Sequence, residues 1–421
     1  MTSQPTSPSL VARVLRSPTL LYTALAGLSR ASSILMGPFL TRRLTTAQYG
    51  DLAFYQSTAS VLSMLLSVGL TAAVSRFYFE GESREAALRT SGSIARGMLM
   101  LVVGGATVFA AVIAIAPLSP DTRHHLATTL LAAAGSALVS IPVSLTRARQ
   151  LPLQVAAFAS IEFGGLVLST LALVGAAQRG LDGALEALAL SGLLSGIAAT
   201  AYVLLLPGAL HRETLVRGLR FSAPFVPHFI ANQLLTLGDR WFLKANGLEN
   251  ELGPYALASQ LAAPIGLVVG AHNDTASARL GETVRTGGAA QLRLSFPSLI
   301  RSYLRLTAPL CGMLLIASPL VPWVFSSRFE TAVEFLPLLL LSILIEAAYF
   351  PATNVLFFAN ATSRIPILTG ISGVASIALN VLLIPRYGAW GALAARAVAM
   401  TLRTALALMF ARAALRVTVQ H

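Results

Sequence analysis

A chain of 421 residues that is 55% hydrophobic and only 11% charged, with a mean hydropathy of +0.72, has too few ionisable groups to clothe a water-facing globule. That excludes most soluble enzyme classes, and it turns the net charge of +13 from a nucleic-acid signal into a membrane-orientation signal. The single cysteine, Cys311, leaves no intramolecular disulfide to form.

In chain order, twelve apolar segments are each long enough to cross roughly 30 Å of hydrocarbon at about 1.5 Å per helical residue. They run Leu20–Leu40, Asp51–Val74, Met98–Ile115, Leu126–Leu145, Leu153–Ala176, Leu185–Leu206, Phe221–Phe242, Leu252–Ala271, Tyr303–Val324, Phe335–Phe358, Ile365–Ile384 and Trp390–Phe410. The fold class this predicts is an all-α polytopic membrane protein. The first 17 residues lack the apolar core and small-residue cleavage site of a removable signal peptide, so the first helix reads as permanent. The stretch 273–302, polar and glycine-containing, reads as a helix lying at the interface.

Of the 30 Lys and Arg residues, 19 fall in the loops on the side that holds Arg13 and Arg16, eight fall on the opposite side, and Arg30, Arg396 and Arg403 lie within spans. The excess predicts that both termini face the cytoplasm. The basic group Arg76, Arg84, Arg89 and Arg96 on that side is explained by orientation, with gathering of anionic head groups as the alternative.

The chain also repeats itself. Gly180-Leu181-Asp182-Gly183-Ala184-Leu185 is answered 208 residues later by Gly388-Ala389-Trp390-Gly391-Ala392-Leu393, and Gly50-Asp51-Leu52-Ala53 is answered 203 residues later by Gly253-Pro254-Tyr255-Ala256. A weaker pairing sets Gln150-Leu151-Pro152 against Arg364-Ile365-Pro366. Two units with six spans each re-enter the membrane in the same orientation, the arrangement of transporters that open alternately to each side. The expected organisation is a first bundle over 1–210, a cytoplasmic loop over 211–220 and a second bundle over 221–421. No Gly-x-x-x-x-Gly-Lys-Ser/Thr run marks a nucleotide-binding cassette.

An ionisable group at the bilayer centre costs on the order of 3 kcal/mol on insertion scales, so each must face protein or water. Arg30 shares a helix face with Gly27, Ser33 and Gly37, and it is the first candidate for contact with a phosphate. Its alternative is packing against Glu162 or Glu346. Arg396 and Arg403, two turns apart, form a basic stripe, with snorkelling of Arg403 to the interface as the alternative. His228, Asn232 and Asp239 form a polar face suited to sugar hydroxyls, while Asp239 with Arg240 also reads as a solvated pair at a helix end. Glu162 and Glu346 are candidates for exchanging an ion with a gradient, or for salt bridges between helices. Neither a cofactor nor a metal site is expected.

The run Leu40-Thr41-Arg42-Arg43-Leu44-Thr45-Thr46-Ala47-Gln48-Tyr49-Gly50, with Gly69-Leu70 and Ser75-Arg76-Phe77-Tyr78 after it, resembles the opening of Wzx-type polysaccharide flippases of the MOP superfamily, the group that includes the MATE exporters. Thr236-Leu237-Gly238-Asp239-Arg240 and Leu252-Gly253-Pro254-Tyr255 are similar to the same pattern, although Pro254 interrupts the expected Gly-Tyr step. The resemblance implies two six-helix bundles in a MATE-like V. It implies movement of an undecaprenyl-diphosphate-linked oligosaccharide across the cytoplasmic membrane, with proton or sodium coupling. Expected partners are that lipid-linked glycan, membrane lipids, and the polymerase and export machinery of an O-antigen, capsule or exopolysaccharide, with no nucleic acid. The competing reading is a MATE-like multidrug exporter. Such a site needs carboxylates facing the cavity, whereas the first span carries Arg30 and no acid. A glycosyltransferase or polymerase is disfavoured by the shortness of the outer loops, which hold no clustered acids.

Overall fold

The computed structural model describes residues 35–417, which are almost wholly helical and contain no strand. Helix α1 covers the described residues 35–43. It is followed by α2 (Thr46–Ser67), α3 (Leu70–Phe79), α4 (Arg84–Ile115), α5 (Pro120–Ala148), α6 (Pro152–Thr170, continued as a π-turn to Ala176), α7 (Gly180–Leu205) and α8 (Arg212–Ser222). Then come α9 (Phe225–Ala245), α10 (Glu249–Ala317), α11 (Thr331–Glu346), α12 (Tyr349–Phe358) and α13 (Arg364–Val417).

Eight helices among the described residues are long and apolar enough to cross a membrane, and the bent pair α2 and α3 makes a ninth. Two further spans lie behind that count. Helix α13 is two arms joined at Gly388, whose φ of 56° is non-helical, and the 21-residue α9 falls short because its interior is polar. Eleven of the twelve expected spans are thus accounted for; the first, Leu20–Leu40, falls mostly outside the described residues.

The helix boundaries have local causes. Ser83 and Ser119 accept hydrogen bonds from the backbone N–H groups of Ala86 and Thr122, capping α4 and α5, and Pro120 and Pro152 occupy first-turn positions that need no donor. The 273–302 stretch is not an interfacial helix: α10 runs through it as two long arms that meet at Gly288, where φ is 60°. Across these arms Tyr303 donates to Asn273 (2.8 Å) and His272 meets Ser302 (3.2 Å). The 211–220 segment, expected as a loop, is helix α8. It packs Leu215 and Leu219 against the core of α3, α4 and α5 because its apolar residues fall on one face.

Contacts divide the chain into two compact units. The first is Thr58–Val226, with a core of Leu70, Val74, Ile94, Met98, Leu130, Ile141 and Leu145. Small residues set its helix spacing: a side chain on Gly135 of α5 would run into the backbone of Gly192 of α7. Large apolar residues such as Val108, Ile115, Ile197 and Leu205 lie on its outside, as lipid-facing helices require.

The second unit is Pro227 onward together with the described residues 35–57, so α1 and the first half of α2 pack with it and not with Thr58–Val226. The close crossing of α2 and α10 is the physical reason. A Cβ on Gly50 would strike the carbonyl oxygen of Glu249, and one on Gly253 would strike that of Thr46. These two glycines are the repeat-related pair of the sequence, and they let both backbones meet. Lys244 then bridges Asp51 (2.6 Å) and Glu249 (2.9 Å), and Trp241 donates to Ser57 (3.1 Å). Gly180 and Gly388, the other repeat pair, both have φ of 56°. The third repeat differs by four residues from the sequence alignment: the left-handed turn at Gln150 is matched at Asn360, before Arg364.

Candidate functional site

Helix α9 turns His228, Asn232, Thr236 and Asp239 toward the second arm of α13, at spacings that hold them near one face. Arg396 and Arg403 answer from α13, about 10 Å apart along the axis at 1.5 Å per residue. Leu235 packs on Ala399 and Met400 between them, closing the apolar part of the same interface.

Asp239 is 4% exposed and fully engaged. Its carboxylate accepts from the Tyr255 hydroxyl and from the backbone N–H of Arg240 (2.8 Å), and it lies 3.6 Å from the Arg396 guanidinium. Arg396 also donates to the Thr236 carbonyl at 3.3 Å. Arg403, 2% exposed, pairs with Glu346, donates to Asn232 at 3.3 Å, and lies over the Tyr349 ring at 4.3 Å from its centroid. Glu346 is the last residue of α11, where the tenth span breaks before Tyr349.

Two guanidiniums, those of Arg396 and Arg403, face the carboxylates of Asp239 and Glu346, while the side chain of Arg240, next to Asp239 on α9, pairs with neither and adds a positive charge that they do not balance. The Nε atoms of the three arginines are all buried without a hydrogen-bond partner, as is Nδ1 of His228. Unpaired buried donors are rare because each forfeits its hydration. Aimed into one cluster, they suit the oxygens of a phosphate or a carboxylate, which accept from planar guanidiniums in pairs.

The structure therefore brings Asn232, Asp239, Arg396, Arg403 and Glu346 together, with His228 and Arg240 on the same helix as Asn232 and Asp239. Asp239 and Arg240 are not a solvated pair at a helix end, because Tyr255 and Arg396 enclose the carboxylate. Arg403 does not snorkel, because Glu346 and Tyr349 hold its head inside. Glu162 lies elsewhere, on α6. Its backbone carbonyl accepts from Ser191 of α7 (2.7 Å), and its carboxylate forms no ion pair among the described residues. Arg30 lies outside the described residues. Sequence reasoning missed Tyr255 and Tyr349 as cluster members; Tyr255 stood beside Gly253-Pro254 but was read only as a family mark.

The basic residues 76–96 have local duties. Arg76 pairs with Glu80 (2.9 Å), Arg89 with Glu85 (2.7 Å), and Arg96 donates to the carbonyls of Leu206 and Gly208, closing the end of α7. In the first unit Glu186 meets Arg179 (2.6 Å) and His124 (3.2 Å), so it is tied down at a helix end. Among the described residues no three His, Cys, Asp or Glu side chains converge as metal ligands do.

A family model described as polysaccharide biosynthesis protein matches residues 16–276, more than half of the chain. The chain belongs to this family. Among curated proteins, one of the Lsg locus of Haemophilus influenzae is 24% identical over 363 residues, 83% of this chain and 87% of that protein. Among solved structures, the outward-facing conformation of a multidrug resistance MATE family transporter of the MOP superfamily aligns over 99% of this chain and 100% of that one, with a TM-score of 0.63 and 13% identity. The inward-facing conformation of such a transporter aligns over 96% of both chains with a TM-score of 0.68 and 13% identity. The fold is shared with these MATE family transporters. The chain is an all-α protein, and its long apolar helices make it a multi-pass membrane protein.

Proposed function

We propose that this transporter moves an undecaprenyl-diphosphate-linked oligosaccharide from the cytoplasmic to the outer leaflet of the cytoplasmic membrane, by alternating access, for assembly of a surface polysaccharide. The observation that carries the reading is the inward-held pair Arg396 and Arg403 with unpaired Nε donors, beside Arg240, whose charge no carboxylate of the cluster takes up. A diphosphate supplies both the negative charge and the oxygens those donors lack. His228 and Asn232, on the same face of α9, are suited to sugar hydroxyls. The charge bias of the loops supports cytoplasmic termini.

A cationic drug is the wrong cargo for this cluster. Asp239 and Glu346 are already engaged by arginines, and the surplus charge repels a second cation. Coupling to a proton or sodium gradient falls to Glu162 in preference to Glu346, since an exchanging carboxylate must be free of a fixed cation.

The test is the accumulation of polyprenyl-diphosphate-linked oligosaccharide in cells carrying Arg396→Ala, Arg403→Ala or Arg30→Ala, against wild type and a deletion strain at matched protein levels. Accumulation with loss of surface glycan is expected. Unchanged lipid-linked sugar and glycan in the deletion strain, together with drug sensitivity, would transfer the assignment to a multidrug exporter.

A further inference from the structure

The two arginines of α13 are held very differently. Arg396 has a carboxylate only at 3.6 Å, beyond hydrogen-bond reach, and its side chain keeps 17% of its surface. Arg403 is in direct contact with Glu346 and keeps 3%. Asp239, the partner of Arg396, has its own satisfaction from Tyr255 and the Arg240 N–H, so it does not depend on that guanidinium. Glu346 has no hydrogen bond other than that with Arg403 among the described residues. One arginine is thus available to an incoming oxyanion, and the other is occupied by an oxyanion the protein supplies.

We infer that Glu346 is an internal competitor of the substrate, a carboxylate that occupies the Arg403 guanidinium and must be displaced by the second phosphate of a lipid-linked diphosphate. The inference rests on the flippase reading and deepens it. Three observations converge on it. Carboxylate and phosphate present the same oxygen geometry to a guanidinium, so one replaces the other without moving the arginine. Glu346 ends α11 three residues before α12 begins at Tyr349, and its 23% exposure leaves it room to withdraw. The unpaired Nε of Arg403 offers a second donor that Glu346 leaves unused and a diphosphate can take.

The device has a function. A buried guanidinium without a counter-charge would be costly in the empty protein, so Glu346 holds Arg403 ready between cargoes. Because the carboxylate must be pushed aside, a ligand with a single phosphate, satisfied by Arg396, gains little from Arg403. A diphosphate gains both. Selectivity for the diphosphate then comes from the cost of opening the pair, as a group that must be paid for by the right ligand discriminates against the wrong one.

The experiment is equilibrium binding of farnesyl diphosphate to the full-length protein in nanodiscs of zwitterionic lipid, for wild type, Glu346→Gln, Arg403→Gln and the double variant. Glu346→Gln is expected to bind at least tenfold more tightly than wild type, and the gain is expected to vanish in the Arg403→Gln background. Tighter binding that persists without Arg403 would overturn the inference, since it would be a general effect of removing a negative charge, and so would unchanged or weaker binding by Glu346→Gln. If Glu346→Gln does not assemble, Glu346→Asp, whose shorter reach loosens the same contact, must show the tightening; its absence overturns the inference equally. Wild-type binding that is insensitive to Arg396→Ala and Arg403→Ala would sink the flippase reading itself, whereas binding that needs those arginines with no Glu346 effect sinks only the competitor.

Discussion

Replacing Asp239 by leucine tests whether the cluster is an assembled ion-pair network or a set of independent contacts. The substitution keeps the branching of the side chain but strands the half-buried Arg396 guanidinium and the buried Tyr255 hydroxyl without the carboxylate they face. Removing one partner of a buried charge pair costs about 3–5 kcal/mol, because the survivor stays desolvated and uncompensated. The sole cysteine supplies the assay. Cys311 is buried on the second arm of α10, so a thiol-reactive fluorogenic dye reports its exposure on heating. At roughly 2 °C per kcal/mol for a chain of this size, Asp239→Leu should lower the melting temperature by about 6–10 °C. The double variant Asp239→Leu/Arg396→Met removes both charges and should recover most of that loss, since an apolar pair of similar volume replaces an ion pair at little cost. Transport should stay lost in the double variant, because the oxyanion anchor is gone. A double variant as unstable as the single one would refute the network, and restored transport would refute Arg396 as an anchor.

Other positions give independent outcomes. Gly50→Leu drives a side chain into the Glu249 carbonyl and should cost more than 3 kcal/mol, on the order of other overpacking at a backbone crossing, and be seen as loss of the monodisperse peak; Gly104→Leu, which meets nothing within 4 Å, should leave the peak intact. Glu251→Ala removes the acceptor of the Ala389 N–H (2.7 Å) at the start of the last α13 arm and should lower stability by about 1–2 kcal/mol in the same dye assay, with Glu251→Gln losing less. Glu162→Gln should flatten the dependence of vesicle transport on an imposed proton or sodium gradient while leaving farnesyl diphosphate binding unchanged; full gradient dependence in the variant would exclude it as the coupling group.

What the sequence disclosed and what it concealed divide along the range of the interactions. Span number and helical class follow from hydropathy summed over about 20 residues, a local quantity. The stripe formed by Arg396 and Arg403 is likewise local, set by a seven-residue spacing. Their partners are not: Asn232 and Asp239 come from more than 150 residues earlier, and Tyr255 reaches Asp239 only because α9 and α10 fold back on one another. The length of α10 was also hidden, because its polar middle resembles a loop by composition, while helix continuation there depends on contacts such as Tyr303 with Asn273. The breaks at Gly69, Gly388 and after Glu346 leave little trace, since glycine and alanine in a transmembrane segment serve packing as often as bending.

The repeat carries a consequence for how the chain is built. The matched glycines Gly50 and Gly253 do not sit in separate copies of a bundle; they press against each other's helices inside the second unit, with Thr46 hydrogen-bonded to Asn250 at 2.9 Å across 204 residues. Residues up to Ser57 are synthesised first, yet partners such as Trp241 and Asn250 emerge 184 to 204 residues later, whereas Thr58–Val226 makes its contacts within one continuous stretch. Contacts of such sequence separation form late, because loop closure must be paid before they return anything. The order of assembly this dictates is the 58–226 unit first, then capture of the 35–57 segment by α9 and α10. A chain ended at residue 226 should therefore keep the helix packing of 58–226, while α1 and the first half of α2 are left without the surface that Gly50 was shaped to meet. Limited proteolysis of that fragment in nanodiscs checks the order: cleavage confined to residues before Ser57 fits it, and cleavage spread through α5 and α7 contradicts it.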